Sequence, residues 1–128
     1  MVRRSKLDPR SACPLSCSLE LIGDRWTLLV LRDLLIGKKR FKDFLESPEG
    51  ISTNILTDRL ARMERIGLVR TTVYSERPRR FEYDLTEKGE ALLPVLQALC
   101  RWGNRFLPGT LVPPDSFMKR KVGQRIVP

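Results

Sequence analysis

The sequence predicts a mainly α-helical domain with one small β-hairpin, and three observations lead there. Apolar residues recur at helical spacing in several stretches, most plainly at Leu56, Leu60 and Met63 and again over residues 92–106. Two runs, "LVRTTVY" rich in β-branched residues and "RFEYDL" alternating, flank a charged tip that contains Pro78, the pattern of a hairpin. At 128 residues the chain suffices for one core and is short for two.

Residues 1–12 read as a flexible basic arm. Behind them, "PLSCSLELIGDRW" supports a short helix over 15–22, with Gly23 as its stop and Asp24 as the cap of the next. That next helix, over 25–36, is apolar at Leu28, Leu31, Leu34 and Leu35 and also at Leu29 and Val30, so it is a central one. Gly37 ends it. In "RFKDFLES", Phe41, Phe44 and Leu45 stand at i, i+3, i+4 and mark a short amphipathic helix, after which Pro48 and Gly50 break the chain. Ser52 caps the following helix, which turns Leu56, Leu60 and Met63 inward and stops at Gly67.

Beyond the hairpin, Thr86 caps a final helix over 87–107, in which Pro94 should produce a kink or close a first segment. Its apolar residues cover a broad arc, wider than one core contact needs. Part of that arc is expected to face a second subunit. The segment 108–128, with four prolines and no period, reads as a flexible basic tail, leaving 13–107 as the folded domain.

A short helix, a turn and a longer helix are the order of a helix-turn-helix, and the appended hairpin makes it a winged helix-turn-helix. In that architecture the second helix of the motif enters a DNA major groove by its first turns, and a basic hairpin tip can follow the neighbouring backbone or minor groove. Composition agrees. Lys and Arg number 24 against 15 Asp and Glu, a formal +9, which favours a polyanionic partner, nucleic acid before an anionic membrane surface. No apolar run approaches the roughly 20 residues that span a bilayer, and none follows the basic start, so a cytoplasmic protein without membrane contact is expected.

Enzyme chemistry finds little support. There is no histidine, which excludes histidine acid–base catalysis and histidine-ligated metals, and the three cysteines include no CxxC pair, which argues against zinc and against a disulfide scaffold. Neither a catalytic residue, a metal nor a cofactor is expected. The chemistry to look for is recognition of double-stranded DNA.

For that, Asn54 can make the paired hydrogen bonds that read adenine, and Thr57 offers a hydroxyl and a methyl to a thymine edge. Ser52 and Thr53, with the free N–H groups of the helix start, suit a phosphate. Asp58 is awkward beside DNA, and pairing with Arg62 at i+4 is its expected role. In the hairpin tip Arg77, Arg79 and Arg80 can neutralise phosphates or enter a narrow minor groove. Lys38, Lys39 and Arg40 are candidates for backbone contacts that carry no sequence information.

The residues also resemble a known family. "CPLSCSLELIGDRWTLLVLRDLLIGKKRFKDF", then "GIS", "LTDRLARMERIGLVR", "RPRRFEYDLTEKG" and "LCRWG", in that order over some ninety residues, are similar to the HxlR-type winged-helix transcriptional regulators. The resemblance implies a homodimer with contacts from the first and last helices, here Leu19 on the first and Leu92, Leu96, Leu99, Trp102 and Phe106 on the last. It also implies a candidate redox site, because some relatives sense oxidants or electrophiles through a cysteine at the position of Cys13, and Cys100 is a conceivable partner across the dimer. Two departures stand out. After Pro78 this chain has Arg79 and Arg80 where the family usually has a second proline and an arginine, and its recognition helix carries Asn54 and Asp58 where basic or amide side chains are common.

The expected function is that of a homodimeric, sequence-specific DNA-binding regulator, with repression its expected sense and an oxidant or small molecule its candidate signal. From a different class, the alternative is a winged helix used as a protein-interaction module.

Overall fold

The computed structural model describes residues 11–124; residues 1–10 of the proposed arm over 1–12 and the last four residues of the proposed tail lie outside that range. Among the described residues seven helices and two strands follow in the order α1 (Pro14–Ile22), α2 (Thr27–Leu35), α3 (Phe41–Leu45), α4 (Thr53–Arg65), β1 (Val69–Glu76), β2 (Arg79–Leu85), α5 (Glu87–Glu90), α6 (Leu93–Phe106) and α7 (Asp115–Met118). This is a winged helix-turn-helix, with α3 and α4 as the motif and β1–β2 as the wing. No helix among the described residues is long and apolar enough to cross a membrane.

Local chemistry sets most boundaries. Asp24 accepts hydrogen bonds from the backbone N–H groups of Trp26 at 3.0 Å and Thr27 at 3.1 Å, so α2 begins a little later than the pattern suggests. The Ser52 hydroxyl accepts from the N–H of Ile55 at 3.2 Å and opens α4. At the other end Gly67, with φ of +82°, lets Leu68 N–H reach back to the carbonyl of Met63 at 2.8 Å, which satisfies a free end of the helix and turns the chain into the wing. The final helix is split. Proline lacks an N–H and clashes with the carbonyl four residues before it, so Pro94 sits in the first turn of a new helix, α6, behind the short α5.

Alternation in the wing places Val69 opposite Leu85 and Thr71 opposite Tyr83 in an antiparallel ladder with an irregularity between Val73 and Ser75. A bridge between Arg40 and Glu82, with Tyr83 N–H donating to the Lys39 carbonyl at 2.8 Å, pins the base of the wing to the start of α3. The core gathers Leu31 and Leu35 of α2, Phe44 of α3, Leu56, Leu60 and Met63 of α4, Leu68 and Val69 at the wing base and Leu93 and Leu96 of α6. Each such side chain contributes about 1.5–3 kcal/mol on burial.

The expectation of a flexible tail from residue 108 is corrected over 108–124. Phe117 of α7 is only 5% exposed and belongs to the core. The buried Gln97 side-chain amide donates to the carbonyls of Phe117 at 2.9 Å and Arg120 at 2.8 Å, and Arg120 donates to the Leu35 carbonyl at 2.5 Å. Asn104 holds the turn, donating to Thr110 Oγ1 and to the Leu111 carbonyl, both at 3.0 Å. A segment of this kind has no sequence period because one aromatic anchor and a few backbone hydrogen bonds dock it, rather than a repeating face.

Leu92 and Leu96 are likewise corrected as subunit-contact residues. Leu96 is 5% exposed and Leu92 packs against the same cluster, so both serve the core of one chain. Leu19, Leu99, Trp102 and Phe106 do face outward.

Candidate nucleic-acid interface

Helix α4 presents three distinct faces. Leu56, Leu60 and Met63 are buried. Ile55, Arg59, Arg62 and Ile66, at i, i+4, i+7 and i+11, form a half-buried flank. Thr53, Asn54, Thr57, Asp58, Ala61 and Arg65 are exposed on the remaining side. This outer side begins at the capped N-terminus, where the first N–H groups have no partner within the helix and the helix dipole favours an anion.

The Asn54 side chain makes no hydrogen bond to any described residue, so its amide is available to a base edge. The Thr57 hydroxyl donates to the Thr53 carbonyl at 2.8 Å, which leaves its methyl group and its oxygen lone pairs facing out. The expected pairing of Asp58 with Arg62 is corrected. Asp58 accepts from Arg59 Nη1 at 2.5 Å, while Arg62 Nη2 donates to the Glu20 carbonyl of α1 at 2.6 Å. Arg62 is therefore turned toward α1, away from the outer face. Arg65 remains exposed.

Lys38 and Arg40 both have partners within the domain. Lys38 Nζ donates to Ser47 Oγ at 2.7 Å, and Ser47 in turn donates to the buried Asp33 carboxylate at 2.5 Å. Arg40 Nε donates to Glu82 at 3.0 Å, with its guanidinium 3.8 Å from the centre of the Tyr74 ring. Both cations stay partly exposed while these contacts brace the motif. Arg32 adds a two-pronged grip on Glu49, with both contacts at 2.8 Å, that fixes the turn ahead of α4. Lys39 stays over half exposed, with Asp84 at 3.6 Å.

In the wing Arg77, Arg79 and Arg80 are all exposed. The turn beneath them is closed by Ser75 Oγ donating to the Pro78 carbonyl at 2.9 Å. Arg79 lies 5.7 Å from the Phe81 ring, and Arg77 and Arg80 have no partner among the described residues.

Two residues that the motif pattern does not single out are Asp24 and Arg59. Arg59 Nε donates to Asp24 Oδ2 at 2.8 Å, and Asp24 also accepts from the Thr27 hydroxyl and from the backbone of Trp26 and Thr27. Partial burial pushes the Asp24 carboxyl up, but the hydrogen bonds from Thr27, Arg59 and the two amides outweigh it and hold the group well below the usual carboxylate range. The spacing 55, 59, 62, 66 is the signal that could have exposed this flank, since two arginines inside an isoleucine stripe imply acceptors opposite them.

Cys13 is exposed at the N-cap of α1, Cys17 is half-buried, and Cys100 is half-buried against the core.

Comparison with known proteins agrees with this geometry. The family model for the HxlR-like helix-turn-helix matches residues 21–110. An uncharacterized HTH-type transcriptional regulator of Methanothermobacter thermautotrophicus is 39% identical over 99 residues, covering 77% of this chain and 76% of the relative. The solved reduced form of the transcriptional regulator YodB from Bacillus subtilis superposes with a TM-score of 0.63 at 35% identity, covering 79% of this chain and all of that one. The redox regulator HypR in its reduced form gives a TM-score of 0.67 at 34% identity over 74% of this chain and 96% of its own. With recognition helix, wing and family match in register, the chain belongs to the HxlR-like helix-turn-helix family and is a DNA-binding transcriptional regulator of helix-turn-helix type.

Proposed function

We propose that this regulator works as a homodimer that reads a roughly palindromic site with two α4 helices and two wings, and acts as a repressor. The observation that carries this reading is the outer face of α4, where Asn54 and Thr57 stand exposed beside a capped helix start while Arg59 and Arg62 of the same helix are drawn into contacts inside the domain. Two copies would place their recognition helices about one helical turn apart, ~34 Å, or a multiple of it. Occupancy of such a site by two domains is sufficient to block a promoter. Repression therefore needs no further surface.

Support for a second copy comes from α6. Val95, Leu99, Trp102 and Phe106, at i, i+4, i+7 and i+11, form one exposed stripe, with Trp102 at 57% and its ring 5.5 Å from that of Phe106. Leu15 and Leu19 of α1 are exposed as well. Isolated exposed leucines are ordinary, but a four-residue apolar stripe with a tryptophan at its centre is a contact surface.

The test is binding to a library of genomic fragments at several salt concentrations. Asn54→Ala is expected to relax preference at one base position by about 1–3 kcal/mol while leaving the salt dependence intact. If the parent protein selects no sequence and ignores salt, the DNA reading fails and the protein-interaction alternative takes its place.

As signal we infer an oxidant acting at Cys13. A peroxide would oxidise the thiol to a sulfenic acid, itself reduced to water or alcohol, and condensation with a second thiol, Cys100 of the other copy, would release water and form a disulfide. The exposure of Cys13 supports this, as does the likeness to a redox regulator. Cys13→Ser is expected to abolish any peroxide effect on DNA binding. A mutant that responds like the parent would sink the idea. A second reading of the signal rests on an apolar cavity of about 600 Å³ between α2, α6 and the α7 segment, whose lining includes Leu28, Leu99, Leu111 and Phe117, a size that suits a small apolar effector.

A further inference from the structure

We propose that Arg59 and Arg62 are positioning residues, which together with Asp24 and the Glu20 carbonyl latch the recognition helix α4 to the N-terminal helix α1 and set the angle at which its outer face meets DNA. The proposal deepens the DNA-binding reading and rests on it.

Helix α1 contains no buried residue, so apolar packing alone holds it weakly. Ile22 packs in part against the core cluster, and two polar contacts join α1 and the loop after it to α4. Arg62 Nη2 donates to the Glu20 carbonyl at 2.6 Å. Glu20 stands in the last turn of α1, where carbonyls lack a following N–H and the helix end carries partial negative charge, a site that favours a guanidinium. One turn earlier on α4, Arg59 reaches the loop between α1 and α2, where Asp24 holds Arg59 Nε at 2.8 Å. Asp24 cannot yield easily, because the same carboxylate accepts from Trp26 N–H, Thr27 N–H and the Thr27 hydroxyl, and Thr27 is only 1% exposed.

The guanidinium of Arg59 also spans to Asp58 at 2.5 Å. It therefore joins a carboxylate on the outer face of α4 to one fixed at the start of α2. This supplies a role for Asp58 that needs no base contact: it orients the fork of Arg59. Two arginines of the flank between Ile55 and Ile66 thus grip α1 and its loop over about one turn of α4. The base-reading residues Asn54 and Thr57 lie just around the helix from that grip. Removing it leaves the core face intact but frees the helix to rotate about it.

The latch and a direct phosphate contact predict opposite readouts. Arg62→Ala is expected to leave the slope of log affinity against log salt unchanged, whereas removal of a phosphate-binding cation lowers that slope by roughly 0.9. The ratio of specific to non-specific binding is expected to fall roughly tenfold, because the bases read by Asn54 are no longer met squarely. Arg59→Ala should produce the same fall, because it removes the guanidinium that Asp24 holds and leaves the Asp24 cap of α2 untouched. Both variants should unfold with the parent's cooperativity. In hydrogen exchange on the free proteins the amides of α1 are expected to exchange about tenfold faster than in the parent, with the buried turns of α4 unaltered.

Unchanged α1 protection in both variants overturns the latch. A lowered salt slope with base discrimination intact overturns it too, and returns Arg62 to the phosphate contacts. A parent protein that prefers no sequence removes the DNA reading and the positioning role with it, while the exchange result still decides whether the latch exists.

Discussion

Replacing Arg77, Arg79 and Arg80 together by alanine is expected to lower the salt slope of DNA binding by close to three units, at about 0.9 for each phosphate left without its cation. The order in which the protein ranks DNA sequences should stay the same. The reasoning starts from what each arginine lacks. Lys38, Arg40, Arg59 and Arg62 are all committed to acceptors inside the domain, whereas Arg77 and Arg80 meet none among the described residues and Arg79 only lies near the Phe81 ring. Three guanidinium groups on one closed turn repel one another in the free protein and gain an anionic partner on binding. The folding stability of the triple variant should match the parent, because exposed charges contribute little to it. An unchanged slope would place the wing away from DNA.

The second large effect is on stability. Phe117→Ala is expected to cost about 3–5 kcal/mol, the usual range for a buried phenylalanine, and to lower the melting temperature by roughly 10 °C or more. Phe117 is far from α4 and the wing in sequence, yet it shares the core cluster with Leu35 and Leu96, and the hydrogen bonds of Gln97 hold its own backbone in place. If the tail were a loose extension the same substitution would cost under about 0.5 kcal/mol. Thermal unfolding of the two proteins under one buffer separates these outcomes. Binding by the folded variant should keep the parent's base preference, since the tail does not contribute to the outer face of α4.

The elements legible in the sequence share a property: each is decided by residues within a few positions of one another. Ser52 capping α4, Gly67 ending it, Pro94 opening a new helix and the alternation of "RFEYDL" are local effects, so the motif, the wing and the outer face with Asn54 and Thr57 could be read from the chain alone. The broad apolar arc of the last helix was legible too, but not its division. Leu92 and Leu96 go to the core and Leu99, Trp102 and Phe106 outward, because the α7 segment and α2 cover one side of α6 and no described residue covers the other.

What the tertiary structure alone decided is where the long cationic side chains end. An arginine carries its charge several bonds from the backbone, so helical spacing sets the side from which it leaves and not the partner it reaches. Arg59 finds Asp24 from 35 positions away, Arg62 finds Glu20 from 42, Arg40 finds Glu82 from 42 and Arg120 finds Leu35 from 85. Sequence determined that this protein is a basic winged helix with a readable recognition helix. Folding determined which of its positive charges are left for DNA, because every acceptor brought close by packing removes one cation from the surface that DNA would meet.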